Sequence, residues 1–327
     1  MIKLSINHFR KNVIHLINWI SETRMQKRLS HHTIAVLQAF LVTFLWSSSF
    51  VIIKIGLRDL PALTFAGLRF VLAFLCLMPF CFRQENISQI RKLNRSGWWE
   101  ILVLGILYYA ITPGTQNLGL AFLPANTFSL LLSFTAVVVA FGGMYLLGEK
   151  PAWVQWFGMG IYLVGALIYF QPGENLSYNP FGILIGLISM VANSLSALIG
   201  RKINKEGHLD PILVTALSMG VGSVLLLVTG ILAEGWPHLT HLHWAMILWL
   251  AIINSALAYF LWNKSLTVLP ALESTLINNS MLVQIAILGW IFLGESLNAL
   301  QITGIVIAMI GIGLVQVFRS NPQKTSR

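Results

Sequence analysis

The chain has 327 residues, of which 56% are hydrophobic and 10% are charged, and its mean hydropathy is +0.76. An average soluble domain carries roughly 25% charged residues, because it needs them to cover its surface. The composition therefore excludes a water-soluble protein. The formal net charge of +10 does not indicate nucleic-acid binding, because the basic residues lie between apolar segments, mostly on one predicted side of a membrane.

The apolar segments have lengths near the roughly 20 residues that cross a bilayer as an α-helix. Backbone polar groups in lipid must be hydrogen bonded within the segment, which also favours helices. The sequence thus predicts an all-α membrane protein in a lipid bilayer, with ten transmembrane helices. The predicted spans are 34–53, 62–80, 98–122, 125–147, 152–170, 180–200, 211–233, 243–262, 270–293 and 299–318.

The distribution of the 21 lysine and arginine residues predicts the orientation of these spans. Eighteen lie in the termini and connections of one side, and only Lys54 and Arg58 lie on the other. Because basic residues stay in the cytoplasm, both termini are predicted to be cytoplasmic, in a bacterial-type inner membrane. The remaining basic residue, Arg69, falls inside a span.

The predicted cytoplasmic segment 1–33 has two interpretations. Apolar residues such as Ile6, Phe9 and Val13 recur near helical spacing with lysine and arginine between them, which is typical of an interfacial amphipathic helix. The alternative is that translation starts at Met25, whose basic flank suits the first span. Cys76 and Cys81, the two cysteines, are interpreted as free thiols.

The two halves of the chain align at a constant offset of 146 residues. Leu147-Gly148-Glu149 aligns with Leu293-Gly294-Glu295, and Gly158 and Gly165 align with Gly304 and Gly311. Five spans is an odd number, so the second half enters the membrane from the opposite side. We therefore expect two inverted five-helix repeats, at 34–170 and 180–318, followed by a cytoplasmic tail, 319–327. Inverted repeats recur in secondary transporters, where they expose one site to each side in turn.

Several short motifs occur in the order of one transporter family. They are Trp46-Ser47-Ser48-Ser49-Phe50, Phe65 with Arg69-Phe70, the two Leu-Gly-Glu turns, the Gly-x6-Gly pairs and Ala258-Tyr259-Phe260-Leu261-Trp262-Asn263. On these residues the chain resembles the EamA type of the drug/metabolite transporter superfamily. The resemblance implies ten helices, cytoplasmic termini, a small-molecule substrate and export of metabolites without a cofactor. The chain departs from the family where Thr135 and Met281 stand in place of prolines often found in spans four and nine.

The polar residues of the spans predict a substrate cavity. A buried arginine is costly in lipid unless it is paired or hydrated. Arg69 is therefore either a site for a substrate carboxylate or phosphate, or a clamp on backbone carbonyls at a helix break. Ser133 and Asn279 occupy matched positions near mid-membrane, where sites at repeat interfaces lie. We expect them to face one cavity with the aromatic and amide side chains of Trp46, Tyr109, Asn193, Tyr259 and Trp262.

Two further features have a functional and a structural interpretation. Glu273 lies just inside span nine, where it could couple transport to protons or simply interact with the dipole of a helix N-terminus. Pro113 and Gly114 interrupt span three, which predicts a kink that is either a hinge or a static bend. No equivalent is expected at Ala258-Tyr259-Phe260.

Rival functions are disfavoured. No histidine lies within the interior of a predicted span, and no paired-aspartate or zinc-protease motif is seen, so neither an intramembrane enzyme with catalytic residues nor a metal site is expected. The group His238, His241 and His243 is interpreted as a solvated loop. A channel needs no inverted repeat and shows no filter signature here. The best prediction is an exporter of amino acids or their derivatives, with a drug or nucleoside exporter as the alternative.

Overall fold

The computed structural model describes residues 31–49, 51–53, 55–122, 128, 131–170, 179–293 and 298–317, and in these ranges the protein is nearly all helical and has no β-strand. The helices are α1 (His31–Ile53), α2 (Ala62–Cys81), α3 (Gln84–Lys92), α4 (Arg95–Ile106), α5 (Thr112–Phe122), α6 (Thr135–Leu147), α7 (Trp153–Phe170), α8 (Pro180–Glu206), α9 (Pro211–Glu234), α10 (His241–Ala251), α11 (Ala258–Leu266), α12 (Ala271–Asn279), α13 (Met281–Leu293) and α14 (Ala299–Val317).

Seven stretches of the described chain are long and apolar enough to cross a membrane, and two shorter helices, Leu131–Leu147 and Trp153–Tyr169, are also apolar. Large side chains such as Leu37, Leu41 and Phe44 are exposed on the outer face of the bundle. Apolar surface of this extent needs a lipid environment. The all-helical membrane fold is therefore confirmed, while the number ten and the inversion of the repeats stay predictions.

Local sequence explains where many helices begin and end. Asn179 and Asp210 cap the N-termini of α8 and α9 by accepting hydrogen bonds from backbone N–H groups, and a proline at the first helical position follows each. Gly148 and Gly207 end α6 and α8 with φ of 63° and 69°. A residue with a side chain is strained in that left-handed region, which is why glycine commonly ends a helix.

The two halves share the same irregularities at the same offset. A π-helical segment, Leu107–Ile111, joins α4 to α5, and a second, Ile252–Leu257, joins α10 to α11. Shifting the first by 146 residues places it inside the second. Likewise the helix is interrupted at Phe134, before α6, and at Ser280, before α13. The interruptions exist without the prolines of the family, and the π-helical segment of the second half was not expected from its sequence.

A capping contact is repeated in the same way. The side chain of Gln155 accepts a hydrogen bond from the backbone N–H of Ala152 at 2.9 Å, and Gln301 accepts one from Asn298 at 2.9 Å. Both pairs stand at the start of the last helix of their half, α7 or α14. The internal repeat thus extends from sequence to local backbone structure.

These two helices pack directly against each other. A Cβ atom built on Gly158 would meet the carbonyl oxygen of Gly311, and one built on Gly165 would meet that of Gly304. As the residue number increases along α7, the number of the contacted residue on α14 decreases. The two helices are therefore antiparallel. Equivalent helices of two inverted copies pack in this way about a two-fold axis, so the geometry agrees with the predicted inversion.

Three helices extend beyond their predicted ends. α1 begins at His31, so His31 and His32 lie inside a helix and not in the preceding segment. His241 and His243 lie in α10, where His243 and Thr240 cap the helix reciprocally. α8 continues to Glu206 and carries the buried Arg201. The prediction that Arg69 is the one basic residue buried in a span is therefore wrong. Helix capping and side-chain pairing, described below, make these extensions stable.

The glycine contact between α7 and α14 generates a test. Gly311→Ala would place a Cβ atom against the backbone nitrogen of Tyr162, closer than real Cβ atoms approach other atoms. Overpacking a tight contact costs typically about 1–3 kcal/mol. We expect a lower thermal unfolding temperature of the purified protein in detergent. Gly313→Ala is the control, because nothing lies within 4 Å of its Cβ position. Equal unfolding temperatures for the two variants would contradict the close packing.

Candidate functional site

A cavity of about 280 Å³ lies between helices from both halves of the chain. Small-molecule sites typically measure about 300–1,000 Å³, so this cavity is close to the lower end of that range and suits a small metabolite. Its rim includes Leu57 and Ala62, in and after the connection between α1 and α2, a connection predicted to be extracellular. The residues that line it are Trp46, Ser49, Ile53, Leu57, Ala62, Phe65, Ala66, Arg69, Phe70, Tyr108, Thr112, Pro113, Gln116, Asn193, Tyr259, Asn278, Met281 and Ile285. We call it the outer cavity.

Aromatic rings form one wall of the outer cavity. Tyr259 is their centre: its ring centroid lies 4.9 Å from those of Trp46 and Tyr109, and 5.2 Å from that of Tyr108. The rings are tilted or edge-on to one another, which are favourable arrangements for aromatic pairs. Three different helices contribute them, so the packing joins the two halves at the cavity.

The buried Arg69 binds the second π-helical segment. Its Nε donates to the hydroxyl of Ser255 at 2.6 Å and its NH2 donates to the backbone carbonyl of Asn254 at 3.2 Å. Trp46 Nε1 donates to the same carbonyl at 3.1 Å. A π-helical turn changes the regular bonding ladder, and polar side chains here bind one of its carbonyls. Arg69 therefore clamps the backbone at a helix irregularity, which is one of the two roles predicted for it. Arg69 also lines the outer cavity.

A second cavity of about 20 Å³ adjoins the first. That volume is close to what one water molecule requires. Tyr108, Asn193 and Asn278 line both cavities and form the constriction between them. The other lining residues are Leu104, Thr135, Ser196, Ala197, Gly200, Trp262, Asn263, Leu266 and Thr275. We call it the inner cavity.

The candidate substrate residues are therefore distributed over several places. Trp46, Arg69, Asn193 and Tyr259 line the outer cavity, and Trp262 lines the inner one. Tyr109 is fully buried behind Tyr108 and Tyr259 and lines neither cavity.

Ser133 and Asn279 do not line either of these cavities. Nδ2 of Asn279 is buried and has no hydrogen-bond partner among the described residues. Asn278, one residue earlier, occupies the cavity wall instead. Successive residues of an α-helix point about 100° apart, so a one-residue difference selects another face. The matched position Asn279 therefore lies one residue away from a side chain that lines both cavities.

Pro113 also lines the outer cavity, directly after the first π-helical segment. Proline cannot donate the backbone hydrogen bond of a regular helix and its ring crowds the carbonyl four residues earlier, that of Tyr109. The π-helical turn at Leu107–Ile111 accommodates this. Nothing within 4 Å surrounds the Cβ position of Gly114. Movement at this point, the hinge interpretation, stays a prediction.

A polar cluster lies beyond the inner cavity, at the end of the bundle predicted to be cytoplasmic. Glu149 accepts a hydrogen bond from Arg201 Nε at 2.8 Å and another from the backbone N–H of Ala271 at 2.7 Å. Arg201 NH1 also donates to the carbonyl of Leu266, an inner-cavity residue. Glu149 belongs to the first half and its partners to the second. The cluster therefore holds the two halves together at this end.

Glu273 has a partner that the sequence analysis did not identify. Nε2 of His32 lies 2.8 Å from Oε1 of Glu273, and the carboxylate side chain is 1% exposed. The pair lacks the alignment of a hydrogen bond, and neither carboxylate oxygen accepts one from the described residues. Glu273 stands in the first turn of α12, where the helix dipole favours a negative charge. Two features of the structure therefore hold Glu273 in place, namely the N-terminus of α12 and the neighbouring His32.

Comparison with known proteins identifies the family. The EamA-like transporter family matches two stretches of the chain, residues 33–171 and 180–317. The chain belongs to the EamA-like transporter family. The match covers most of the sequence as two copies, and it confirms the resemblance to this type within the drug/metabolite transporter superfamily. The protein is therefore a multi-pass membrane transporter and not an enzyme.

Relatives of this EamA-type transporter have similar length. The uncharacterized transporter YvbV of Bacillus subtilis is 27% identical over 92% of this chain and 96% of its own. A probable amino-acid metabolite efflux pump of Salmonella typhimurium is 27% identical over 88% and 96%, respectively. An S-adenosylmethionine/S-adenosylhomocysteine transporter of Chlamydia muridarum is 26% identical over 80% and 85%. A solved crystal structure superposes with a TM-score of 0.69 at 16% identity over 86% of this chain and 97% of its own, which shows a shared fold.

The Arg69 contacts generate a second test. Arg69→Gln would leave the hydroxyl of Ser255 and the carbonyl of Asn254 without their charged donor. Hydrogen bonds to charged groups contribute about 1.5–3 kcal/mol each, so we expect less folded protein in the membrane and a lower unfolding temperature. Arg58→Gln, at an exposed position of the connection after α1, is the control. An unchanged unfolding temperature with selective loss of carboxylate transport would assign Arg69 to substrate binding instead.

Proposed function

We propose that this protein is a secondary transporter that exports small metabolites such as amino acids or their derivatives. The observation that carries the proposal is a metabolite-sized cavity whose walls come from both halves of the chain. α1, α2, the first π-helical segment and α5 contribute from the first half, and α8, α11, α12 and α13 from the second. Sites at the interface of two repeats are typical of carriers that work by alternating access.

The two ends of the substrate pathway differ. The outer cavity extends to Leu57, whose side chain is 40% exposed at the rim. At the other end the narrow inner cavity is followed by the Glu149–Arg201 cluster. With the predicted orientation, this arrangement corresponds to an outward-facing state that is closed toward the cytoplasm. Opening toward the cytoplasm would require the halves to separate at that cluster while they approach at the outer rim.

The charge of the cavity favours particular substrates. Among the described residues that line the outer cavity, Arg69 is the one that is charged, and none is acidic. A positive group in a low-dielectric site attracts anions and repels cations. Zwitterionic or anionic metabolites with a planar or apolar part suit the aromatic wall and the amides of Gln116, Asn193 and Asn278. A nucleoside or neutral drug is the alternative that this wall also favours, whereas an organic cation lacks a counter-ion.

A transport assay tests this proposal. The purified protein in liposomes is offered radiolabelled phenylalanine, uridine and tetraphenylphosphonium, and counterflow and saturation are measured. We expect saturable counterflow of phenylalanine and none of the organic cation. Asn193→Leu, which removes a cavity amide at similar volume, should reduce kcat/KM about tenfold, the effect of about one lost hydrogen bond.

Ser194→Ala is the matched control, because its hydroxyl donates within its own helix to Met190 at 2.7 Å. Counterflow of uridine alone would replace the amino-acid proposal by the nucleoside alternative. Non-saturable flux without counterflow of any of the three compounds would indicate a channel and overturn the carrier proposal.

We also propose that Glu273 links transport to protons. It is a buried carboxylate from the second half against His32 of the first, at the closed end of the pathway. Opening that end would separate the two groups and expose them to water, so proton binding and opening are coupled by the charges of the pair. In liposomes with an imposed pH gradient, we expect Glu273→Gln to abolish the gradient dependence of transport. If the residue is only structural, the variant will lower abundance while the remaining transport keeps its dependence on the gradient.

A further inference from the structure

Three buried polar atoms around the inner cavity have no hydrogen-bond partner among the described residues. They are Oγ1 of Thr135, Oγ1 of Thr275 and Oδ1 of Asn278. Thr135 is 2% exposed and Thr275 is 4% exposed, and all three residues line the cavity. A buried polar group without a partner is destabilising, so such groups in a native protein call for a ligand or water.

Neighbouring polar groups of the same cavity are satisfied by the protein. The hydroxyl of Ser196 donates to the carbonyl of Ala192 at 2.7 Å. Asn263 accepts a hydrogen bond from Asn204 at 2.7 Å and donates one to Thr215 at 3.0 Å. The same holds elsewhere on these helices, where Gln284 contacts Thr43 and Ser47. Other buried polar atoms of the helices also lack a partner, among them Oγ of Ser189 and Oδ1 of Asn254, but Thr135, Thr275 and Asn278 differ in that they line one cavity together.

The three residues lie at the interruptions of the two matched helices. Thr135 is the first residue of α6, directly after the break at Phe134. Thr275 and Asn278 are three residues apart on α12, just before the break at Ser280, so they share one helix face. Broken helices form the midplane sites of many transporters. The unpaired oxygens therefore lie where a substrate has to pass, on one element of each half.

We propose that Thr135, Thr275 and Asn278 form a subsite of the substrate pathway that receives a primary amino group. This inference rests on the proposed function and specifies the substrate class of the same pathway. The Asn278 oxygen can only accept hydrogen bonds, and both threonine hydroxyls can accept them. An ammonium group has three N–H donors and no acceptor, so it matches three oxygens, one donor to each.

The size and charge of the inner cavity agree with this assignment. Its volume of about 20 Å³ accommodates one group the size of water or ammonium, while the bulk of the substrate lies in the outer cavity. Tyr108, Asn193 and Asn278 mark the passage between the two. None of the described residues that line the inner cavity is charged, so an amino group is held by neutral oxygens and its charge is compensated by the carboxylate of the same zwitterion.

Transport of phenylalanine and N-acetylphenylalanine tests the subsite, because acetylation removes the ammonium group but keeps the ring and the carboxylate. In liposomes containing the full chain, we expect wild-type kcat/KM for phenylalanine to exceed that for the acetylated compound at least tenfold. Thr275→Val and Thr135→Val keep the side-chain shape and remove one acceptor each. Each should lower the value for phenylalanine about tenfold and leave that for N-acetylphenylalanine unchanged. Thr229→Val, on an exposed face of α9, is the control for loss of a threonine hydroxyl.

Each other outcome has a distinct meaning. An equal loss for both compounds would mean that the threonines act in packing, and it would overturn the subsite. Unchanged values in both threonine variants would mean that the cavity holds an ordered water only. If uridine is transported but phenylalanine is not, the amino-group subsite is wrong while a carrier function remains. If none of the compounds shows saturable transport, the proposed function itself fails.

Discussion

Every polar group inside the bilayer must find its partner within the protein, and this constraint determines most of the structure. Lipid offers no hydrogen bonds, so the chain forms helices throughout the described spans. Where a helix departs from regular bonding, a polar side chain from another helix supplies the missing donor. Arg69 and Trp46 do this for the carbonyl of Asn254 in the second π-helical segment. Helix irregularity and buried polar residues are therefore two parts of one arrangement.

The same constraint separates structural polar residues from those available to a substrate. α12 and α13 carry many polar side chains for membrane helices, and some of these are satisfied locally or by α1. Ser274 and Ser280 donate to carbonyls of their own helix, and Gln284 binds α1. Thr275 and Asn278 keep unpaired oxygens beside a cavity. In a membrane interior, an unpaired polar atom is a stronger indication of a binding site than a polar residue as such.

The two halves are joined by different kinds of contact at different depths. Glycines allow α7 and α14 to approach backbone to backbone, a contact with one fixed geometry. Aromatic rings join the halves around the outer cavity. At the predicted cytoplasmic end, the halves are joined by the ion pair of Glu149 with Arg201 and by the contact of His32 with Glu273. Separating a buried charged pair requires that water or another partner replace it.

The sequence alone determined the all-helical membrane fold and the transporter family. Composition excludes a soluble protein, span length is set by bilayer thickness, and the 146-residue offset is visible in pairs such as Gly158 with Gly304. It also identified Trp46, Arg69, Asn193 and Tyr259 as cavity residues, because polar and large aromatic side chains in spans seldom face lipid. It did not determine which of two neighbouring amides, Asn278 or Asn279, faces the cavity. That choice depends on helix rotation, which packing against α6 and α7 decides. The partners His32 and Arg201 were likewise missed, since they lie far away in the chain from Glu273 and Glu149. Pairing across that separation is created only when the two halves come together in the folded bundle.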